Sequence, residues 1–366
     1  MKTKKIVHII TTIERGGAEV QLLTLAQQQV ERKNEVEIFY LKGKPELADN
    51  FRELGISINS TLANKSIIAQ IYRFRRYMHK NNFLVHAHLP QAELVAASAC
   101  KNRRFVITRH NFEPFWPNKP RIISIFLSRY TSNRAASIIA ISNAIKEYSL
   151  VCKEISKKVN IIVVHYGFAI TNSEVTNKAQ IVHPELEDSN TFKIGTIGRL
   201  VPGKNYFTML SSIKLTLEKI PDMKFFIVGT GKSEIELKKL CKDMQIESNV
   251  IWLGKTAYVH EFLRKIDLFI FASNGEGFGL ALLEAMQANK PILAPSNSAI
   301  PEVLGVGYLG LYPTGDHKLL ADKILYVNSE SGSVNELTSG YKSQLELFDS
   351  KIMANKIFQV YESIGF

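Results

Sequence analysis

The chain has 366 residues, 45% of them hydrophobic and 22% charged, which excludes a disordered, collagen-like or disulfide-stapled protein and exceeds what one core usually organises, so two domains are expected. Its net charge of +12 lies in the first half: residues 1–170 carry 26 Lys and Arg against 12 Asp and Glu, the remainder 20 against 22. A basic domain attracts nucleic acid, anionic lipid or a phosphorylated substrate, and charge alone does not choose among them.

After the basic Met1–Lys5, the apolar run Ile6–Ile10 is interrupted by His8 and is too short for a signal peptide, so it reads as a first strand. No uninterrupted apolar stretch is long enough to span a bilayer. Cys100, Cys152 and Cys241 lie far apart without metal-ligand spacing, and reduced cytoplasmic thiols are expected.

The strand at residues 5–10 leads through Arg15-Gly16-Gly17-Ala-Glu19 into a helical Val20–Ala26. Strand, glycine pair and helix open a phosphate-binding βα unit, but the three-glycine dinucleotide fingerprint is absent. A turn with positive φ explains the two glycines equally well. Further strands are expected at 35–41, 83–87, 105–108, 137–141 and 160–165, and helices at 91–99 and 143–151; this alternation predicts a parallel, doubly wound sheet.

Two basic stretches interrupt this regularity. Residues 67–80 place apolar side chains at 67, 68, 71 and 78 and basic ones at 73, 75, 76 and 80, and residues 119–134 mix Ile122, Ile123, Ile125, Phe126 and Leu127 with Arg121, Arg129 and Arg134. Each fits either a helix on an anionic membrane surface or a crossover helix with a solvated basic face. Residues 180–191, polar and containing Pro184, read as an interdomain linker. A second αβ series follows, with strands at 192–198, 224–228, 249–253, 267–271 and 291–293.

Within that series, Ser273–Ala285 (SNGEGFGLALLEA) sets Glu276 and Glu284 eight positions apart around Gly277-Phe278-Gly279. The apolar strand before it makes this a strand, a glycine turn and a helix start, which aims backbone N–H groups and the helix dipole at one point. Two carboxylates could form a glycosidase acid/base pair. The intervening glycines suit contact with ligand hydroxyls better, and a plain capped helix start is the remaining reading.

Gly198-Arg199-Leu-Val-Pro-Gly-Lys204-Asn205, Gly229-Thr-Gly231, Trp252-Leu-Gly254-Lys255 and the Glu276/Glu284 stretch, taken in order with Gly16-Gly17, resemble glycosyltransferase family 4, retaining enzymes that use a nucleotide sugar. The resemblance implies a GT-B architecture, α/β with two Rossmann-like doubly wound domains facing across a cleft. An acceptor-binding domain would span residues 1–170 and a nucleotide-sugar domain 190–350, with a last helix at 351–366 packing back on the first. It further implies that Arg199 and Lys204 bind the diphosphate, with Gly198, Gly229 and Gly231 in the donor-binding loops. Glu284 would hold the ribose, Glu276 the sugar hydroxyls, and N–H groups from Gly277, Phe278, Gly279 and Leu280 would assist. The backbone at Gly254 and Lys255 would face the base, Gly16 and Gly17 the phosphates or acceptor, and His110 the reacting sugar.

Two cations could stabilise a leaving phosphate without a metal, and the chain contains no Asp-x-Asp motif, so neither cofactor nor metal is expected. The expected partners are a UDP- or GDP-sugar, a lipid-linked glycan acceptor from bacterial surface polysaccharide synthesis and an anionic inner-membrane surface, with no nucleic acid. Two departures stand out: Tyr166-Gly167-Phe168-Ala169 replaces the common Asn-Gly-x-Asp, and Ser298-Ala299 replaces a Gly-Gly pair before Ile300-Pro301-Glu302. The alternatives are a nucleotide-sugar epimerase or phosphorylase of the same architecture, identified by a product formed without acceptor, and a non-enzymatic basic binding protein, identified by nucleic-acid binding without turnover.

Overall fold

The computed structural model describes residues 4–79, 83–100, 105–156, 159–168, 183–256, 258–330 and 332–366. Two compact units emerge, residues 1–169 with 348–366 and residues 170–347.

The first unit runs β1 (Lys5–Ile10), α1 (Gly17–Glu31), β2 (Glu35–Tyr40), α2 (Ala48–Glu53), β3 (Ser57–Asn59), α3 (Ile67–Met78), β4 (Leu84–His88), α4 (Pro90–Ala99), β5 (Phe105–Arg109), α5 (Arg121–Arg134), β6 (Ser137–Ala140), α6 (Asn143–Val151) and β7 (Ile161–Val163). Its seven strands are all parallel, in the order β3-β2-β1-β4-β5-β6-β7. Parallel neighbours need a crossover, and helices then cover both faces. Hence the central strands read as buried, near-continuous apolar runs such as KIVHII.

The second unit runs α7 (Pro184–Glu187), β8 (Lys193–Ile197), α8 (Tyr206–Leu217), β9 (Lys224–Val228), α9 (Glu234–Asp243), β10 (Val250–Gly254), α10 (Val259–Lys265), β11 (Leu268–Ile270), α11 (Leu280–Gln287), β12 (Ile292–Pro295), α12 (Ile300–Leu304), β13 (Leu311–Tyr312), α13 (His317–Ser329), α14 (Ser333–Thr338) and α15 (Tyr341–Glu346). Its six parallel strands lie in the order β10-β9-β8-β11-β12-β13. The chain then returns to the first unit as α16 (Ser350–Ser363). Met353, Ala354, Ile357, Val360 and Tyr361 of α16 share one core with Ile6, Leu25, Leu84, Val106 and Ile139. The approach is close at Gly167, where an added Cβ would lie 2.6 Å from the Ser350 Cα, so only glycine fits.

Several local expectations change. Residues 183–191 do more than link: Leu186 is buried, and Glu185 and Glu187 pair with Lys224 and Lys265, so this segment packs onto the second unit. Residues 180–182, Lys80 and Ala169 lie outside the described residues. Gly16 is extended at φ −145°, so the positive-φ reading of that glycine fails. α3 buries Gln70 and Phe74 and leaves Ile68 exposed.

α5 is inverted relative to an ordinary crossover helix. Ser124, Ser128, Thr131 and Ser132 face inward while Ile122 and Phe126 are 78% and 68% exposed. Its inward face is hydrogen-bonded instead of greasy: the Ser128 hydroxyl donates to the Glu154 carbonyl, and Arg109 donates to Thr131 and Ser132. α3 and α5 both pack on α4.

Ile357→Ala should lower the stability of the first unit by about 2–4 kcal/mol, because the cavity it leaves lies in a core closed by distant sequence segments. Urea denaturation followed by a probe in that unit measures this; a loss under about 0.5 kcal/mol would show that α16 is not part of that core.

Candidate active site

In the second unit, the loops after β8, β9 and β11 are locked to one another. The Gly198 N–H donates to the Val228 carbonyl, Leu200 N–H to Thr230, and Ser233 N–H to the Leu200 carbonyl. A Cβ on Gly229, which has φ +143°, would stand 1.9 Å from the Gly198 oxygen, and one on Gly231 2.3 Å from the Leu200 oxygen. These two glycines let one loop lie against the next, which fixes the stretch carrying Arg199 and Lys204. A short 3₁₀ turn at Pro202–Lys204 follows, and Asn205 at φ +51° reverses the chain into α8. Asparagine tolerates that left-handed conformation better than most side chains.

The 3₁₀ turn meets the Glu276 turn. The Asn274 N–H donates to the Gly203 carbonyl, and the Lys204 ammonium forms an ion pair and hydrogen bond with Glu276. The same ammonium lies 5.1 Å above the Phe271 ring, a favourable cation–π placement. Gly279, at φ +95°, caps the start of α11, and the Phe278 side chain is buried in the core, leaving only backbone groups there to face a ligand. Arg199 is exposed and has no ion-pair partner among the described residues, and Lys255 is exposed just beyond Gly254, whose φ is +67°. Lys204 and Glu276 are thus brought into contact, with Arg199 on the same loop as Lys204.

Glu284, in the middle of α11, has no side-chain hydrogen bond among the described residues, and burial pushes its carboxyl up to about 7. A half-buried acid without a side-chain partner can accept hydrogen bonds from a ligand's hydroxyls.

Residues with no role in the sequence pattern hold the Glu276 turn. The Glu276 N–H donates to the Ser298 hydroxyl at 2.8 Å, and Ser298 donates to Asn297, whose amide reaches the Ser273 carbonyl and Thr314. Ser298 has φ +46°, a glycine-favouring conformation. Its signal was the Gly-to-Ser departure itself: a serine kept at a strained position there has a hydrogen bond to make.

In the first unit His110 sits just past β5, half-buried and flanked by the His88 ring at 3.1 Å and the Tyr166 hydroxyl at 2.6 Å. Burial pushes its imidazole down to about 3, so the ring is neutral at physiological pH. Tyr166, in the segment that departs from Asn-Gly-x-Asp, is therefore a partner of His110. Gly16 and Gly17 form the start of α1, where the Thr12 hydroxyl donates to Glu19.

Residues 15–168 match the family model described as Glycosyltransferase Family 4, and residues 177–342 the one described as Glycosyl transferases group 1. The chain belongs to glycosyltransferase family 4. A curated relative, the capsular polysaccharide biosynthesis glycosyltransferase CapM of Staphylococcus aureus, is 23% identical and covers 99% of this chain and 98% of its own length. N-acetyl-alpha-D-glucosaminyl L-malate synthase of Bacillus anthracis is 36% identical over 39% of this chain and 37% of its own length. Among solved structures, Anabaena Alr3699/HepE in complex with UDP-glucose superposes with a TM-score of 0.81 at 21% identity, covering 98% of this chain and 99% of that one. The transferase therefore has the GT-B fold, with sheets of seven and six parallel strands.

The raised Glu284 carboxyl gives the transferase a pH signature. The unfolded chain ionises this group near 4.5 and the native protein near 7. Native stability carries no penalty from it below about 4.5, falls as pH rises to about 7, and is level above. Glu284→Gln removes the penalty, so the melting temperature of the variant relative to wild type should rise between about pH 5 and 7 and then plateau. A difference independent of pH would mean that Glu284 is solvated.

Proposed function

We propose that the transferase moves a sugar from a UDP-sugar to the hydroxyl of a lipid-linked glycan, with retention at the anomeric carbon and without a metal. The observation that carries this reading is the loop after β8, pinned by backbone contacts and holding Lys204 against Glu276 beside the start of α11. Lys204 and Arg199 bind the diphosphate. Departure of the nucleotide builds negative charge on phosphate oxygens, and two preorganised cations stabilise it as it forms. Binding exchanges the Lys204–Glu276 pair for Lys204–phosphate contacts and frees the Glu276 carboxylate for the sugar hydroxyls. N–H groups from Gly277 to Leu280 assist, Glu284 accepts from the ribose diol, and the backbone at Gly254 and Lys255 faces the base. In the first unit, His110 recognises a sugar hydroxyl, and Gly16 and Gly17 let the start of α1 approach phosphate or acceptor. The acceptor oxygen forms its bond to the anomeric carbon on the face from which the nucleotide leaves; the carbon–phosphate-oxygen bond breaks and the acceptor proton passes to the departing phosphate.

The choice of UDP is supported by the HepE complex with UDP-glucose, and an acceptor from surface polysaccharide synthesis by the resemblance to CapM. No described helix is long and apolar enough to cross a membrane. The inverted α5, with Ile122 and Phe126 exposed on a helix that also carries Arg121 and Arg129, and α3, with Ile68 on a helix that carries Arg73, Arg75 and Arg76, support docking on an anionic surface and, with it, the reading of an enzyme that works at the cytoplasmic face of a membrane.

Lys204→Ala or Arg199→Ala should lower kcat by on the order of a hundredfold in a radiolabelled-sugar transfer assay, as loss of one charge-stabilising group typically does. Turnover unchanged in both would remove their assigned role. In a thermal-shift screen, UDP-sugars should raise the melting temperature more than GDP- or ADP-sugars do. Vesicles containing anionic lipid should float the wild-type protein at low salt and release it at high salt, whereas Ile122→Asp/Phe126→Asp should stay in solution. Equal flotation of the variant would place the contact elsewhere.

A further inference from the structure

Next to His110, the first unit contains a row of imidazoles to which the reaction steps above assign no role. His8 on β1 and His86 and His88 on β4 are fully buried. His8 and His86 are opposite one another in the β1–β4 register, which brings all three rings to one face of the sheet. Their nitrogens lie within 4.8 Å of one another, close enough to suggest a shared cation. Their contacts describe something else.

His8 Nε2 lies 2.8 Å from the Gln29 side-chain oxygen, His8 Nδ1 lies 3.0 Å from His88 Nε2, His88 Nδ1 lies 3.1 Å from His110 Nε2, and His110 Nδ1 lies 2.6 Å from the Tyr166 hydroxyl. Each ring nitrogen in this row is already committed to a different neighbour. Among the described residues no carboxylate is hydrogen-bonded to any of the rings, and burial pushes His8 down to about 4 and His110 to about 3. The rings are neutral, with one N–H and one lone pair apiece.

Neutrality makes the row collective. Each ring-to-ring contact needs one N–H facing one lone pair, so turning a single ring to its other tautomer would set two donors or two acceptors face to face in the core, at a cost comparable to a lost buried hydrogen bond. The three rings therefore share one polarity. Its blind end is Gln29, whose amide nitrogen donates to the Tyr361 hydroxyl at 3.2 Å, leaving the amide oxygen to His8. His8 must then donate from Nε2, His88 from Nε2 to His8, and His110 from Nε2 to His88.

We propose that Gln29 is a positioning residue for His110: acting through His8 and His88, its amide oxygen fixes the proton of His110 on Nε2 and leaves Nδ1 as an acceptor. This rests on the assignment of His110 to sugar recognition and sharpens it. An Nδ1 lone pair, now accepting from Tyr166, takes a hydrogen bond from a sugar hydroxyl when Tyr166 yields; it offers nothing to a phosphate oxygen, which also only accepts. His110 thus selects the hydroxyl-bearing part of a substrate and is not a proton donor. The row ends in an amide that neither gains nor loses a proton at neutral pH, so it holds a polarity without conducting protons.

Long-range ¹H–¹⁵N correlation spectra of the histidine side chains at neutral pH test this directly. Wild type should show His8, His88 and His110 all as Nε2–H tautomers. Gln29→Leu removes the terminal acceptor, so His8 should shift to Nδ1–H and carry His88 and His110 with it, with loss of sugar transfer. Opposite tautomers in neighbouring wild-type rings, or an unchanged His110 in Gln29→Leu, would overturn the proposal. Should Gln29→Leu fail to fold, the wild-type spectrum still decides. Coupled tautomers together with undiminished transfer by His110→Ala would sink only the sugar contact and leave the coupling standing. Broadening of these rings by added Zn²⁺ with loss of the N–H signals would show a metal site instead.

Discussion

The second unit depends on how closely two strand-end loops lie together. Backbone hydrogen bonds from Gly198 to Val228, from Leu200 to Thr230 and from Ser233 to Leu200 tie the loop after β8 to the loop after β9, and the bare Cα atoms of Gly229 and Gly231 leave the room this close approach needs. A cation on a free loop must be ordered before it can stabilise charge, and that entropy would be taken from the transition state. Here the backbone has been ordered during folding, and the Lys204–Glu276 pair completes the arrangement. The pair also keeps a partly buried carboxylate compensated.

The parallel sheets were the most legible part of the chain. Strands that are buried on both faces need continuous apolar runs, and Phe225–Val228 or Ile6–Ile10 can hardly be anything else. Two of the four edge strands were less visible: β3 and β13 are three and two residues long and follow their neighbours' pairing more than their own composition. The return of Ser350–Ser363 to the first core could be suggested only by resemblance, because no local pattern says which of two sheets an amphipathic helix will cover. The charged members of the candidate site were legible because Arg, Lys and Glu beside strand-end glycines form a recognisable series. Ser298, Tyr166 and Gln29 were not, since a hydroxyl or an amide acquires its meaning only from the group that long-range folding sets opposite it. α5 reads in sequence as an ordinary mixed helix, and only burial reveals that its serines face in and its isoleucines face out.

The two units place their polar groups differently. In the second, charged groups lie in loops at strand ends. In the first, uncharged imidazoles are hydrogen-bonded in a row along one face of the sheet and connect Gln29 on α1 to the segment after β5. Burial keeps these rings neutral, which is what allows a hydrogen-bond polarity to extend across them; a charged ring would break the row.

The decisive observation is a structure of the protein with a UDP-sugar bound. Diphosphate oxygens should then lie within hydrogen-bond distance of Lys204 and Arg199 and the ribose hydroxyls on Glu284, with the Lys204–Glu276 pair opened. An intact Lys204–Glu276 pair with the nucleotide held elsewhere would contradict this placement.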